Sequence, residues 1–573
     1  MNTQKKILPW TFLDEWRGKS FVGEWPTLPE LFTINTARFN ERPCFVDFVP
    51  EKVTYTYRQV LDRCHTLASW MIAQGVQKGD HVAVCGKNGS EWATVYLSAL
   101  FTGAVIVPID FALHDAEISN LLRAATPKLF FVDEEKHQYF VKNPCGAAIY
   151  SLSPKFSDLY AYNLEASPAA LPVPISENDT AALLFTSGTT GNPKGVVLSH
   201  KNLVSDCYIA ATRLDLFPTD VFYALLPLHH SYTMLAVFIE AISCGASIVF
   251  GKTMAVTRML KELREGEITL LLGVPLLFNK LLAGILKGIR EKGFVVYGIL
   301  KFLMWISYCI KKTTGKNPGK NMFHAVLDKA SISTLRVAIC GGGPLAASVF
   351  KIYNELGIDF IQGYGLTETS PIIALNPLEH FKIECVGQYF FPHMEMTILD
   401  PDDENVGEVA VKGPMVMQGY YNMAEETAAM FTPDGWFKTG DLGRLDNEGY
   451  LYLAGRAKNM IVTEGGKNVY PEELENAFQL FTDIEQITVR GYVAEKSTKS
   501  EGIEALVYPS DDLVNRLGVA RKAPSYKKEA LPPIKEIIDN VNRTFQPYAK
   551  ISNIIILDEP LEMTTTKKVK RNF

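Results

Sequence analysis

Apolar and polar positions along this chain follow two rhythms, and their order predicts the architecture. From residue 52 to 110, helical spacing and short β-branched runs take turns. Residues 58–74 keep apolar side chains on one helical face, HVAVCG at 81–86 reads as a strand ending in glycine, and AVIVPID at 104–110 reads as another. Residues 183–185 and 195–198 are further apolar strands that flank a loop of glycine, serine and threonine. TLRVAIC at 334–340 followed by AASVFKIYNEL at 346–356 is strand, glycine turn and helix, with Pro344 near the helix start, where a missing N–H costs little. Repeated strand–turn–helix units predict layered α/β sheets, mostly parallel.

After Asp400 the rhythm changes. GEVAVKG at 407–413, GRLDNEG at 443–449 and YLYLAGR at 450–456 alternate as short antiparallel strands, with a turn at 446–449. Residues 471–481 then predict a helix, with Pro471, Glu472 and Glu473 suited to its first turn. EQITVRGYV, EALVYPS, a helix over 532–545 and ISNIIIL complete a compact β/α set of about 115 residues, enough for a separate small domain. The boundary falls just after Arg456, which divides the chain into 1–457 and 458–573.

Composition narrows the functional classes. The 57 basic and 63 acidic residues give a net charge of −6, and 47% hydrophobic with 21% charged residues is an ordinary globular balance. Collagen-like, disulfide-rich and wholly disordered chains are excluded, and mild acidity gives no global reason to expect a nucleic-acid partner. The nine cysteines form no CxxC pair and sit mostly in apolar runs, as expected of free thiols in a reducing compartment. The ten histidines form no HExxH-like metal spacing. Asp14 and Glu15 break the apolar stretch near the start, which is too short for a secretory signal, so a cytoplasmic protein is expected.

One segment departs from this balance. Between 280 and 329 ten Lys or Arg face two acids, Glu291 and Asp328, and residues 294–310 carry only one charge, Lys301. Three readings stand: a buried or partner-covered helix, an interfacial helix whose flanking lysines face anionic lipid at the inner face of the membrane, or a membrane span. A span needs about 20 mostly apolar residues, and this run is short with a central charge.

The densest chemistry is the loop at 185–195, FTSGTTGNPKG, with three glycines, four hydroxyls and a lysine between two strands. Glycines admit close backbone approach, successive N–H and O–H groups cradle phosphate oxygens, and Lys194 supplies counter-charge. Pro193 and Gly195 separate it from the GxxxxGK[ST] phosphate loop. Further motifs follow in order: LPLHHSY at 226–232, CGGGPL at 340–345, GYGLTETSP at 363–371, GWFKTGDLG at 435–443, GRAKNMIVTEGGKNVYPEELE at 455–475 and MTTTKKVKR at 563–571. With these seven motifs the chain resembles the adenylate-forming superfamily, most of all its long-chain fatty acyl-CoA synthetases.

That resemblance implies a large N-terminal domain of layered α/β sheets plus a β-barrel-like subdomain, with a small mobile C-terminal α/β domain. It also implies a reaction. A fatty acid carboxylate attacks the α-phosphorus of ATP to give acyl-AMP and pyrophosphate, and the thiol of CoA then displaces AMP. The alternative is a fatty acyl-AMP ligase that stops at acyl-adenylate, or a loader that hands the acyl group to an acyl carrier protein and does not use free CoA. By the same resemblance Thr186, Ser187, Gly188, Thr189, Thr190, Gly191 and Lys194 hold the β- and γ-phosphates, Glu368 with Thr186 holds Mg²⁺, and Thr367 contacts phosphate. Gly341, Gly342, Gly343, Pro344 and Gly363 approach adenine, on which Tyr364 stacks, and Asp441 with Arg456 holds the ribose. Lys568 is the catalytic lysine bridging carboxylate and α-phosphate, with Lys567 beside it as a departure from the pattern and a solvated basic tail as the other reading. Lys458 is the hinge about which the C-terminal domain turns, and Gly465, Gly466 and Lys467 line the pantetheine tunnel. His229 gates the acyl site, and Gly365 stands where acetate-type relatives carry a capping tryptophan, leaving room for a long chain.

Two other classes compete. Gly341 to Ala346 also matches GxGxxA of a dinucleotide-binding turn, with Asp359 eighteen residues on, but that fingerprint leaves the other motifs unexplained. A non-catalytic sensor on the same fold is disfavoured because Lys194, Glu368, Asp441, Arg456 and Lys568 are all present.

Overall fold

The computed structural model describes residues 10–166, 171–186, 193–253, 255–463, 467–495, 500–563, 569 and 571. The predicted strand–turn–helix units are present. Residues 58–74 form the helix Tyr57–Ala73, started by a reciprocal cap in which the Thr56 N–H donates to Gln59 Oε1 at 2.9 Å. HVAVC becomes the strand His81–Cys85, and its neighbours Val105–Ile109 and Leu129–Val132 run parallel to it. Thr180–Thr186 joins the same sheet parallel to Val105–Ile109, and Lys194–Ser199 turns back antiparallel on it. This seven-stranded sheet ends at the two-residue strand Gly419–Tyr420.

A thirteen-stranded sheet carries the rest of the N-terminal part. Its parallel half runs through Val221–Ala224, Leu270–Gly273, Val337–Cys340 and Asp359–Gly365. Its antiparallel half continues through Ile372–Leu375, Gly387–Tyr389, Tyr450–Arg456, Phe437–Leu445, Gly407–Lys412 and Glu395–Leu399. The antiparallel strands expected after residue 400 therefore extend the parallel ones. That continuity lets Tyr364, at the end of Asp359–Gly365, face a residue 77 positions later.

The C-terminal part has its own sheet, Ile484–Glu495 antiparallel to Ser500–Pro509 and the latter parallel to Asn553–Ile556, over a core that includes Val489, Ala505, Tyr526, Ile534 and Ile538. Two helix boundaries differ from expectation. The helix Pro471–Asn476 is shorter than 471–481, because hydrogen bonds from Ala477, Phe478, Gln479 and Phe481 to carbonyls three residues back continue the chain as tight turns. The helix expected over 532–545 spans Tyr526–Asn542, with Pro532 and Pro533 inside it. Buried Tyr526, Ala530, Ile534, Ile538 and Val541 recur on one face, and their packing outweighs the two lost N–H donors.

The segment 294–310 is one helix, Phe294–Thr314. The reading as a buried helix is corrected: seven of its large apolar side chains are at least 37% exposed.

Candidate active site

At one end of the site, Thr186 closes one strand and Lys194 opens the next, as register partners across the hairpin. The Thr186 hydroxyl donates to the Lys194 carbonyl at 3.4 Å. Ser187, Gly188, Thr189, Thr190 and Gly191 lie between them, outside the described residues. Lys194 Nζ stands 4.6 Å from the centre of the Tyr420 ring, and the Tyr420 hydroxyl donates to Glu368 Oε1 at 2.8 Å. Burial, with the Glu368 carboxylate beside it, pushes that phenol up. Glu368 sits in the short turn Thr367–Thr369, which packs on the strand Lys194–Ser199 and is pinned by the Met417 N–H donating to the Glu368 carbonyl at 2.8 Å. Thr367 Oγ1 lies 3.1 Å from Ser231 Oγ. Lys194, Glu368 and Thr367 are thus brought together, and Tyr420, unmarked in the sequence, stands between the cation and the carboxylate. A Glu368 carboxylate and a Thr186 hydroxyl are hard oxygen donors of the kind that would suit Mg²⁺.

At the other end, Asp441 and Arg456 are register partners on adjacent antiparallel strands. Arg456 Nε lies 2.6 Å from Asp441 Oδ1, and the Tyr364 hydroxyl donates to Asp441 Oδ2 at 2.6 Å. Asp441 is only 6% exposed, so both oxygens of a desolvated carboxylate are held by donors. Burial, then the Asp441 charge, pushes the Tyr364 phenol well up. A carboxylate offers about four lone-pair sites, so accepting from ribose hydroxyls remains open to Asp441.

The glycine turn lies on the parallel half. Gly341 N–H donates to the Gly273 carbonyl at 3.0 Å, and Gly342 adopts φ +74°, a conformation glycine takes without strain. The turn is also read by Gln479: its side-chain amide donates to the Pro344 carbonyl at 2.8 Å and accepts from the Ala346 N–H at 2.9 Å. Nothing in the sequence marked Gln479.

Near the acyl motif, His229 Nε2 is 3.5 Å from Asp110 Oδ1 and its ring centre 4.1 Å from that of His230. Asp110 too was missed, because it closes the strand motif AVIVPID far upstream. At Gly365 a Cβ would fall 1.7 Å from the Pro371 carbonyl oxygen, so the backbone itself excludes any side chain, a capping tryptophan included. Gly363 is tight as well, a Cβ there lying 3.1 Å from Leu375 Cδ1.

Lys458 lies in the turn Ala457–Asn459, where burial, then the charges of Arg456 and Arg571, lower its ammonium. Lys568, Gly465 and Gly466 lie outside the described residues. Lys467 closes a hairpin in which its N–H donates to Thr463 Oγ1 at 3.2 Å. The chain on either side of Lys568 is placed: Met563 bridges antiparallel to Val569, and Arg571 lies 2.7 Å from Glu475 Oε2 and 3.4 Å from Glu472 Oε1. Burial raises Glu475 to about 7 against the opposing pull of Arg571.

A family model described as AMP-binding enzyme matches residues 32–421. Feruloyl-CoA synthase of Amycolatopsis sp is 28% identical over 464 residues, covering 80% of this chain and 84% of its own. Long-chain-fatty-acid–CoA ligase FadD15 of Mycobacterium bovis is 30% identical over 464 residues, covering 76% and 75%. Among solved structures, O-succinylbenzoate coenzyme A synthetase (MenE) of Bacillus subtilis, in complex with ATP and magnesium ion, shares the fold with a TM-score of 0.73 at 22% identity, covering 95% of this chain and 98% of that one.

Proposed function

The chain belongs to the AMP-binding enzyme family, as an adenylate-forming acid–thiol ligase, and we propose that its acid is a long-chain fatty acid and its thiol that of CoA. The observation that carries the reading is the segment from Tyr364 to Glu368. It fastens the ribose-end carboxylate at its start and offers a phosphate-end carboxylate four residues later. Four extended residues span at most about 14 Å, the scale of a nucleoside triphosphate from sugar to terminal phosphate.

In this reading Asp441 and Arg456 hold the ribose and Tyr364 lies on adenine above the 341–344 turn. Lys194 and the loop before it hold the β- and γ-phosphates, and Glu368 with Thr186 would hold the magnesium ion, whose charge favours pyrophosphate departure. The acid's carboxylate oxygen forms a bond to the α-phosphorus as the bond to the β-phosphate bridge breaks. Lys568 neutralises charge on both reacting anions. Residues 458–573 then turn about Lys458, and Gly465, Gly466 and Lys467 line the thiol's path. The thiol sulfur attacks the acyl carbonyl and AMP leaves. A fatty acid is favoured by the likeness to a long-chain ligase and by the exclusion of any capping side chain at Gly365.

Mass spectrometry of the products from pure protein, MgATP and a panel from acetate to stearate that includes ferulate tests this, with and without CoA or a phosphopantetheinylated carrier protein. Acyl-CoA formed only with CoA, and most from the long acids, is the expected result. Preference for ferulate overturns the substrate class. Acyl-AMP that persists in CoA but is consumed by the carrier overturns the acceptor.

A further inference from the structure

The helix Phe294–Thr314 has its polarity inside out. Toward the protein it turns Met304, Ser307 and Lys311, all buried, with Lys311 Nζ held by Asp359 at 2.6 Å and by Asn354 at 2.8 Å. Away from the protein it turns Phe294, Val295, Ile299, Phe302 and Trp305, which are 90, 70, 56, 59 and 52% exposed. Val295, Ile299 and Phe302 keep the i, i+4, i+7 spacing of one face, and the rings of Phe302 and Trp305 stack 6.0 Å apart. A surface helix in water buries its apolar stripe and exposes its charges; this one exposes its apolar stripe and buries Lys311, while Lys301 and Lys312 keep to its sides.

The flanks say what covers it. Exposed Lys287, Arg290 and Lys292 precede the helix, Lys316 follows it, and Glu291 is the one acid between residues 287 and 316, in a chain whose net charge is −6. We propose that the outward face of this helix docks on an anionic lipid bilayer, lying in the headgroup plane with its apolar side chains in the acyl boundary and its flanking cations on lipid phosphates. The buried Lys311–Asp359 pair ties the inner face to the protein, which leaves the helix lying on the bilayer rather than crossing it. A second copy of the chain is a poorer occupant, because pairing the same face in either direction sets cationic ends against cationic ends. The inference holds whichever acid the enzyme takes.

Flotation of the full-length protein with vesicles of phosphatidylcholine, alone or mixed with phosphatidylglycerol, is the test. Binding to the mixed vesicles is expected to exceed binding to the neutral ones by about tenfold at low salt and to fall as salt is added. The variant I299S/F302S/W305S is expected to lose about tenfold or more of that binding while keeping its melting temperature and its pyrophosphate release with a water-soluble acid. Brominated lipid should quench tryptophan emission of the native protein, and W305F should remove that quenching, a readout that stands even if the triple variant misfolds. No flotation with mixed vesicles, or flotation and quenching that survive the substitutions, overturns the proposal. So does a dimer that the triple variant dissolves without any lipid binding.

Discussion

The two ends of the proposed nucleotide site are built from different materials. At the ribose end Asp441 and Arg456 face each other in the register of two long antiparallel strands, and Tyr364 closes the set from a third strand of the same sheet. At the phosphate end Glu368 rides on a three-residue turn, Tyr420 on a two-residue strand, and Lys194 on the rim of a hairpin. Sheet register holds a carboxylate to within a fraction of an ångström, which suits recognition of a sugar that stays bound through both half-reactions. Turns and strand tips give way more easily, which suits the end where charge develops and pyrophosphate must leave. The Tyr420 ring parts Lys194 from Glu368, so each is free for its own part of a triphosphate and its metal.

Substitutions at the two ends should therefore fail in different ways. The largest effect is expected from Glu368→Gln, which removes the carboxylate proposed to hold magnesium: kcat for pyrophosphate release should fall by about 100-fold or more, with part of the loss recovered at raised magnesium. Chelation of magnesium should stop the native enzyme altogether. Asp441→Ala comes next. It should raise KM for ATP by about 10- to 50-fold with a smaller change in kcat, and cost about 2–3 kcal/mol of stability by leaving Arg456 and the Tyr364 hydroxyl unpaired. A collapse of kcat at unchanged KM in Asp441→Ala, or a pure KM effect in Glu368→Gln, would break the comparison.

A smaller effect is expected through pH where Arg571 meets Glu472 and Glu475. Glu475, raised by burial to about 7 from 4.5, binds its proton more tightly folded than unfolded. Its contribution to stability is full below about pH 4.5 and is lost as pH rises through 7, a fall of up to about 3 kcal/mol. Glu475→Gln should flatten that slope in thermal melts between those limits. An unchanged slope would show that Arg571 keeps the carboxylate ionised, and that Arg571 is held to Glu475 by a standing ion pair.

How much of this was legible depends on how far apart the partners lie in the chain. Thr186, Lys194, Glu368, Asp441 and Arg456 sit in contiguous strings whose resemblance to the adenylate-forming superfamily implies their roles. Tyr364 was singled out for its ring, but its hold on Asp441 spans 77 residues and exists only because two strands share a sheet. Tyr420 and Gln479 stand in strings with no chemical signature. The apolar runs show the same limit. Ser90–Phe101 and Phe294–Thr314 are both rich in large apolar residues, yet eleven of twelve residues of the first are buried and the second faces outward. Periodicity reports that a face exists; what lies opposite it is decided by the rest of the fold.

The smallest expected effect lies where the C-terminal part meets the glycine turn. Gln479 satisfies two backbone groups there, the Pro344 carbonyl and the Ala346 N–H, and both are available only while the tight turns after Asn476 rest against residues 344–346. If residues 458–573 turn between the half-reactions, these bonds form in one arrangement and break in the other, each worth about 0.5–1.5 kcal/mol net. Gln479→Ala should then shift the balance away from the arrangement seen here. The half-reaction served by this arrangement should slow about three- to tenfold in single-turnover measurements of adenylation and of thiol transfer from preformed acyl-adenylate, while the other should hold or quicken. Equal slowing of both steps would make Gln479 a structural support for the turn. No change in either would mean that the ribose end, with Asp441 and Arg456 in register, orients the C-terminal part without help from the adenine side.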